Sequence, residues 1–232
     1  ALVNGIISLM EDNGELNAWF IEPSYAYDEQ YLLNFYSGEA LLALVEYYQK
    51  TNDQGVLKAA IKSQDYYLDK YVRNLETNYY PAYVPWHTMS LSKLYFVTKK
   101  EKYVDAIFVL NDKLLQILDR VEFVGRFYNP QTPHYGKPHS SSDGVYFDGI
   151  SYAYEIARKV GDKKREAAYR ESLEIAFLNL HSLQYTLEEA KLFNRPDRVA
   201  GAIKINVQNG NVRLDSVQHA IDGWRKLLEV LE

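Results

Sequence analysis

One spacing of apolar and aromatic residues occurs three times along this chain, and it is typical of helices that stack side by side. The pattern is Leu/Ile-x-x-Leu/Tyr/Ala-Tyr-x-x-Thr/Ala, and it begins at Leu44, at Leu91 and at Ile150. A long polar loop precedes each copy, and a short turn and an amphipathic helical stretch follow it. Such repetition predicts helical hairpins in which nearly apolar inner helices are covered by amphipathic outer helices. We therefore expect an all-α fold, an (α/α) toroid or partial toroid of about four hairpins, with short β-hairpins in the loops.

The same periodicity sets the expected bounds of the helices. Inner helices are predicted over four ranges, 31–50, 86–98, 140–160 and 214–231. Outer helices are predicted over three, 55–73, 101–120 and 163–184. Local signals add a helix at 2–12, a strand at 16–21, a polar loop at 24–30 and a β-hairpin within 202–210. All of these belong to one expected domain over 1–232, and Ser140 with Asp143 suits a capping box at the third inner helix.

Composition narrows the expected partners and cofactors. The net charge is -5 without a Lys/Arg cluster, so neither nucleic acid nor an anionic membrane is an expected partner. Apolar runs stay well short of the roughly 18 residues of a membrane span. The chain has no Cys and no closely spaced pair of metal-ligating His, so we expect no metal and no cofactor. It opens at Ala1, which leaves open whether an upstream segment has been removed, and a cytoplasmic location is slightly favoured.

Tyrosine is unusually frequent, with 21 residues of this type. Its ring offers a large apolar face and its hydroxyl a hydrogen bond, so tyrosine suits half-buried surfaces. Most of these side chains are expected to fill helix interfaces. Those predicted in loops are instead candidate platforms for a planar or sugar-like ligand: Tyr25, Tyr27, Tyr79, Tyr80, Tyr83 and Tyr135.

The loop end of a toroid is where candidate functional residues would gather. Inner helices that begin at one end place their partial positive charge there, which favours anionic and polar ligands. The acid/base candidates at that end are Asp143, Asp148, Asp215, His219 and His87. The candidates for contacting a small molecule or oligosaccharide are Tyr83, Trp86, His139, Tyr146, Arg213 and Glu39.

Most of these residues also have a purely structural explanation. Asp143 can serve only as a helix cap, and Glu39 can form a structural ion pair with Arg213. Asp215 and His219 are four residues apart and share a helix face, where the pair is either a cap with a bonded neighbour or a carboxylate tuning an imidazole.

Several segments resemble a known group of proteins. GEALLALVEYYQKTND, SLSKLYFVTKKEKY and GISYAYEIARKVGD resemble the hairpins of the six-hairpin glycosidase-like superfamily, which includes N-acylglucosamine 2-epimerases and unsaturated glucuronyl hydrolases. The ending VRLDSVQHAIDGWRKLLEVLE is similar to the closing inner helix of uncharacterised bacterial members. The resemblance covers nearly all of 31–232 and implies an (α/α) toroid. Full members have six hairpins, so this chain resembles a truncated toroid or the C-terminal part of a longer one.

Two functions follow as hypotheses. The first is a carbohydrate-active enzyme, a glycoside hydrolase or sugar epimerase that acts on an oligosaccharide or uronic acid in a polar funnel. The alternative is a non-catalytic glycan-binding or scaffold domain of a larger bacterial protein, with other domains of that chain as partners. A helical-repeat module for protein partners is a third class, and it predicts an apolar concave surface. The sequence leaves open whether the protein is an enzyme.

Overall fold

The computed structural model describes residues 1–21 and 28–232. The described chain is mostly helical with one two-stranded antiparallel sheet, which confirms the all-α prediction with a short β-hairpin. It falls into two compact units, Ala1–Asp112 (unit 1) and Lys113–Glu232 (unit 2). A single domain and a ring of helices remain predictions.

Unit 1 contains six helices and a π-helical turn within its described part. They are α1 (Leu2–Ser8), α2 (Glu29–Thr51), α3 (Gln54–Tyr67) with the π-helical turn Leu68–Arg73, α4 (Leu75–Asn78), α5 (Tyr83–Thr98) and α6 (Glu101–Leu114). The predicted strand at 16–21 is wrong, because Leu16 makes only one isolated bridge, to Met10. Side chains take the place of a partner strand: the backbone N–H of Leu16 donates to the Tyr67 hydroxyl at 3.1 Å. Most of the predicted loop 24–30, with Tyr25 and Tyr27, lies outside the described residues.

Unit 2 contains five helices, two 3₁₀ turns and the sheet. The helices are α7 (Ser140–Val160), α8 (Lys163–Ser182), α9 (Leu187–Ala190), α10 (Pro196–Val199) and α11 (Leu214–Leu231), and the 3₁₀ turns are Leu115–Ile117 and Pro133–Tyr135. The strands β1 (Lys204–Asn206) and β2 (Asn209–Val212) pair as an antiparallel hairpin. The long helices of both units match the predicted inner and outer helices.

The repeated threonine has a structural role at the end of its helix. The Thr51 hydroxyl donates to the Tyr47 carbonyl at 2.8 Å, and the Thr98 hydroxyl donates to the Leu94 carbonyl at 2.7 Å. The next residue is left-handed in both copies, with φ of 57° at Asn52 and 58° at Lys99. The repeat therefore encodes a tight turn that reverses the chain into the outer helix.

The two inner helices of unit 1 run parallel. Ser37 of α2 meets His87 of α5 near their N-terminal ends, and Glu46 pairs with Lys93 at 3.3 Å further along both helices. Glycine permits the close approach, since a Cβ added at Gly38 would lie 2.4 Å from the Trp86 Cβ and 2.9 Å from the His87 backbone nitrogen.

Unit 2 repeats this arrangement with α7 and α11. The Ser141 hydroxyl donates to the Asp215 carboxylate at 3.0 Å near the start of both helices, and Lys226 pairs with Glu155 at 2.8 Å further along. A Cβ added at Gly223 would lie 2.6 Å from a ring carbon of Phe147. Within each unit, therefore, two inner helices begin at the same end.

Candidate functional site

The predicted site residues are divided between the two units. Unit 1 holds four of them, Glu39, Tyr83, Trp86 and His87, and unit 2 holds seven, His139, Asp143, Tyr146, Asp148, Arg213, Asp215 and His219. Each group is therefore described within its own unit.

His87 is the centre of a buried hydrogen-bond network in unit 1. The Gln64 side-chain amide donates to Nδ1 at 3.1 Å, so Nε2 carries the proton and donates to the Ser37 hydroxyl at 3.1 Å. The Ser90 hydroxyl in turn donates to Gln64 at 2.9 Å. Burial lowers the pKa of His87 to about 3. His87 is thus a neutral interior residue that links α2, α3 and α5.

The aromatic candidates of unit 1 are also packed inside. Tyr83 is fully buried and stacks on Tyr71, with ring centroids 3.9 Å apart. Trp86 of α5 lies against Gly38 of α2, at the close contact between the two helices. Burial raises the pKa of the Glu39 carboxyl. Tyr83 is consequently part of the core and offers no open platform for a ligand.

Asp143 occupies a central position in unit 2. One carboxylate oxygen accepts the backbone N–H of Phe127 at 2.9 Å, and the other accepts the side-chain amide of Asn179 at 2.9 Å. Burial raises the pKa of Asp143 to about 6, and these two hydrogen bonds act in the opposite direction. The predicted capping box is wrong, because the carboxylate joins α7 to α8 and to the preceding loop instead of closing its own helix.

His139 is the residue that caps α7. Its Nδ1 accepts the backbone N–H of Ser142 at 3.1 Å. Burial and the charge of Arg213 lower the pKa of His139, while Asp215 raises it. The neutral ring then carries its proton on Nε2, which remains a hydrogen-bond donor.

A second polar group lies at the start of α11. The Arg213 guanidinium donates to Asp215 at 3.0 Å, and Ser141 of α7 donates to the same carboxylate. Burial raises the pKa of Asp215, but these hydrogen bonds outweigh it and the pKa lies below its ordinary value. Burial also lowers the pKa of His219, against the charge of Asp215. Arg213 thus pairs with Asp215, and the bond from Ser141 to Asp215 ties the N-termini of α7 and α11 together.

The remaining candidates of unit 2 are interior residues. Tyr146 is buried with its ring against Phe127, the centroids 5.3 Å apart. Asp148 is buried where α7 meets Gly223. Both side chains lie within the packed helices and are remote from solvent.

Asp143 and His139 share a cleft, which we call the α7 cleft. Its other lining residues come from the preceding loop, from α8 and from the segment around β1: Phe123, Arg126, Pro138, Asn179, Leu183, Ile205, Asn206, Val207 and Gln208. The cavity measures about 50 Å³, which is below the size of a site that encloses a whole ligand. It can hold a few waters or one edge of a sugar ring.

Arg126 is the most informative residue that sequence reasoning missed. Its guanidinium carbon lies 4.0 Å from the centre of the Phe123 ring, and its Nε is buried with no hydrogen-bond partner among residues 1–21 and 28–232. Asp119 lies 3.8 Å from the same guanidinium. Arg126 directly follows Gly125 in the long loop 121–139, and the φ of 91° at Gly125 marks a specific turn. The adjacent Gly and Arg residues are the signal that the sequence offered for this position.

Within residues 1–21 and 28–232, no group of three or more His, Asp or Glu side chains is arranged to hold a metal ion. Over the same ranges no helix combines the length and the apolar character needed to cross a bilayer.

Comparisons with known proteins give no family assignment. No family model, no curated protein and no solved structure matches this chain. The resemblance to the six-hairpin glycosidase-like superfamily therefore remains a prediction from the hairpin segments.

Proposed function

We propose that the protein is carbohydrate-active and that the α7 cleft of unit 2 binds one sugar residue. The observation that carries this proposal is the mixture of groups at one opening: donors from Arg126 and His139, the Asp143 carboxylate, and the Phe123 ring. Sugars present alternating hydroxyls that donate and accept, and a C–H face that packs on aromatic rings. Side-chain amides of Asn206 and Gln208 add further donors and acceptors.

The charges favour a neutral sugar over a strongly anionic one. Arg126 is the cation at the cleft, and it faces both Asp143 and Asp119. A carboxylate ligand would meet the Asp143 carboxylate in the cleft lining, and Asp119 already shares the charge of the one guanidinium. Hydroxyl groups can bond to either kind of side chain.

A ligand panel with paired variants tests this proposal. We expect glucose, N-acetylglucosamine or N-acetylmannosamine to shift the amide NMR signals of residues around the cleft. Gln208→Ala should weaken the binding by up to about tenfold through a lost hydrogen bond. Gln116→Ala, at an exposed glutamine outside the cleft lining, is the matched control and should bind normally. Absence of binding by all three sugars, or equal binding by both variants, contradicts the proposal.

A second function, sugar epimerisation, is favoured by one observation. Asp143 and His139 are two titratable groups in one cleft, and Asp143 has a pKa of about 6, close to the value suited to proton transfer at neutral pH. Epimerisation removes a proton from a carbon beside a carbonyl and returns one to the opposite face, so it needs such a pair. Hydrolysis of a glycoside commonly needs two carboxylates, and Asp143 is the one carboxylate among the residues that line the cleft.

Solvent deuterium exchange distinguishes catalysis from binding. An active epimerase should incorporate deuterium from D₂O at the reacting carbon of the sugar. Measured at saturating sugar, Asp143→Asn should lower that rate about 10²–10⁴-fold. Binding without exchange in the unsubstituted protein would support the binding domain and reject the enzyme.

A further inference from the structure

The last helix, α11, carries an apolar stripe that unit 2 does not cover. Six apolar residues follow the alternating three-and-four spacing of a two-helix seam: Leu214, Val217, Ile221, Trp224, Leu228 and Leu231. Four of them are strongly exposed, with fractions of 84% at Leu214, 52% at Ile221, 62% at Leu228 and 50% at Leu231. We call this set the α11 seam.

The seam is separate from the face of α11 that packs inside unit 2. That inner face consists of Ser216, Ala220 and Gly223, all buried, and it lies against α7. Trp224 is half-buried in unit 2, with its Nε1 buried and its ring centroid 5.5 Å from that of Phe177 on α8. Phe177 is itself partly exposed and extends the apolar surface beyond α11. A helix with two apolar faces, one of them open, is suited to a second helix as partner.

We propose that a second copy of this chain covers the seam, with the two α11 helices antiparallel. In that arrangement Leu214 lies opposite Leu231 of the other copy. Val217 then faces Leu228, and Ile221 faces Trp224. Each of these facing pairs joins residues of complementary size. In a parallel pair of helices, by contrast, the two Trp224 rings would face each other. The seam is therefore self-complementary, as a two-fold symmetric interface requires.

Polar residues beside the seam fit the same arrangement. Arg225 and Gln218 are both exposed and flank the seam on its open side. In the antiparallel pair, Gln218 of one copy lies two residues, about 3 Å along the helix axis, from the level of Arg225 of the other. The long arginine side chain can span this offset, so the guanidinium can donate to the amide oxygen at two symmetric places. Among the described residues of one chain, the ion-pair partner of Arg225 is Asp222, at a distance of 4.0 Å. The two-fold symmetry therefore forms the hydrogen bond between Arg225 and Gln218 twice, and this bond exists only between copies.

Sedimentation analysis over a range of protein concentrations tests the proposal. The seam spans about 27 Å of helix, at the low end of stable interfaces, so we expect a reversible dimer in the micromolar range. Ile221→Lys should weaken association at least about 100-fold, because it places a charge at the centre of the seam. Leu187→Lys, at a residue 74% exposed on α9, is the matched control and should dimerise normally. Circular dichroism melting checks that both variants are folded.

Gln218 gives a second test that does not disturb the apolar residues. Gln218→Glu should tighten the dimer about threefold by pairing with Arg225 of the other copy, and Gln218→Arg should weaken it by a similar factor. If the protein is monomeric at about 100 µM, the proposal is overturned, and the α11 seam would then be a surface for a helix of a different protein. A dimer that is indifferent to both Ile221→Lys and the Gln218 substitutions would also overturn it, since the contact would then lie elsewhere.

Discussion

Asn179 of α8 donates its side-chain amide to the Asp143 carboxylate of α7 at 2.9 Å, across 36 positions of sequence. The other oxygen of Asp143 holds the backbone of Phe127, the residue that follows Arg126. One buried carboxylate thus connects two helices and positions the loop that carries the arginine of the α7 cleft.

Removing the amide partner should destabilise unit 2. Asn179→Ala leaves a buried carboxylate with one donor fewer, so we expect a loss of about 1–3 kcal/mol in the free energy of unfolding at pH 7. Urea titration measures this quantity. Asn211→Ala, at an exposed asparagine of β2, is the control and should change stability by less than about 0.5 kcal/mol. Equal losses in both variants would mean that the Asp143–Asn179 bond has no special role.

Asp143 should also give unit 2 a measurable dependence on pH. Its pKa is raised from 3.8 to about 6 by burial, so the folded state holds the proton more tightly than the unfolded state. The corresponding stability is present below pH 3.8 and is lost as the pH rises through 6. Relative to Asp143→Asn, the natural protein should lose about 2–2.5 kcal/mol between pH 4 and pH 7. Parallel stability curves for the two proteins would contradict the raised pKa.

His87 should act in the opposite direction in unit 1. Its pKa is lowered from 6.5 to about 3 by burial, so the stability it contributes is present above pH 6.5 and is lost as the pH falls towards 3. The ring should therefore stay neutral in the folded protein at pH 4.5. NMR of the ring carbon and proton shifts, assigned by their loss in His87→Gln, measures this directly. A midpoint near pH 6.5 would show that water reaches the ring.

The glycine contact between the parallel helices of unit 1 should be sensitive to a single methyl group. At Gly38 a Cβ would lie 2.4 Å from the Trp86 Cβ, so Gly38→Ala should cost about 1–3 kcal/mol despite the better helix propensity of alanine. Gly5 of α1 has no atom within 4 Å of an added Cβ, and Gly5→Ala should stabilise the protein by up to about 1 kcal/mol. Thermal melting of both variants compares the two effects. Similar melting temperatures would contradict the close approach of α2 and α5.

The positions of the helices were predictable because the signals for them are local. Apolar spacing and short turns placed 163–184 close to the observed Lys163–Ser182, and 214–231 on α11. The predicted strand at 16–21 failed for a non-local reason, since the residues of the segment do not reveal that the hydroxyl of Tyr67, 51 positions away, accepts the backbone N–H of Leu16.

The site was less predictable, and Asp143 shows why. The sequence pointed to it as a cap or an acid/base group, and the structure places it in a cleft with Arg126 and Asn179. Neither partner is near it on the same helix, so no periodic pattern could assign them. The sequence predicted His87 as an acid/base candidate at the loop end, whereas the structure buries it between Gln64 and Ser37 from two other helices.

By itself the sequence determined where the long helices of this protein lie, because hydrogen bonds and side-chain spacing within a few residues decide that question. Two predicted ends were wrong, since the helix predicted over 2–12 ends at Ser8 and the one predicted over 101–120 ends at Leu114. Only the tertiary structure decided which polar groups are buried, which pKa values shift and which glycines let helices touch. Those properties depend on the register between helices far apart in the chain. Desolvation and packing act only once that register brings Asp143 to Asn179, and Gly38 to Trp86.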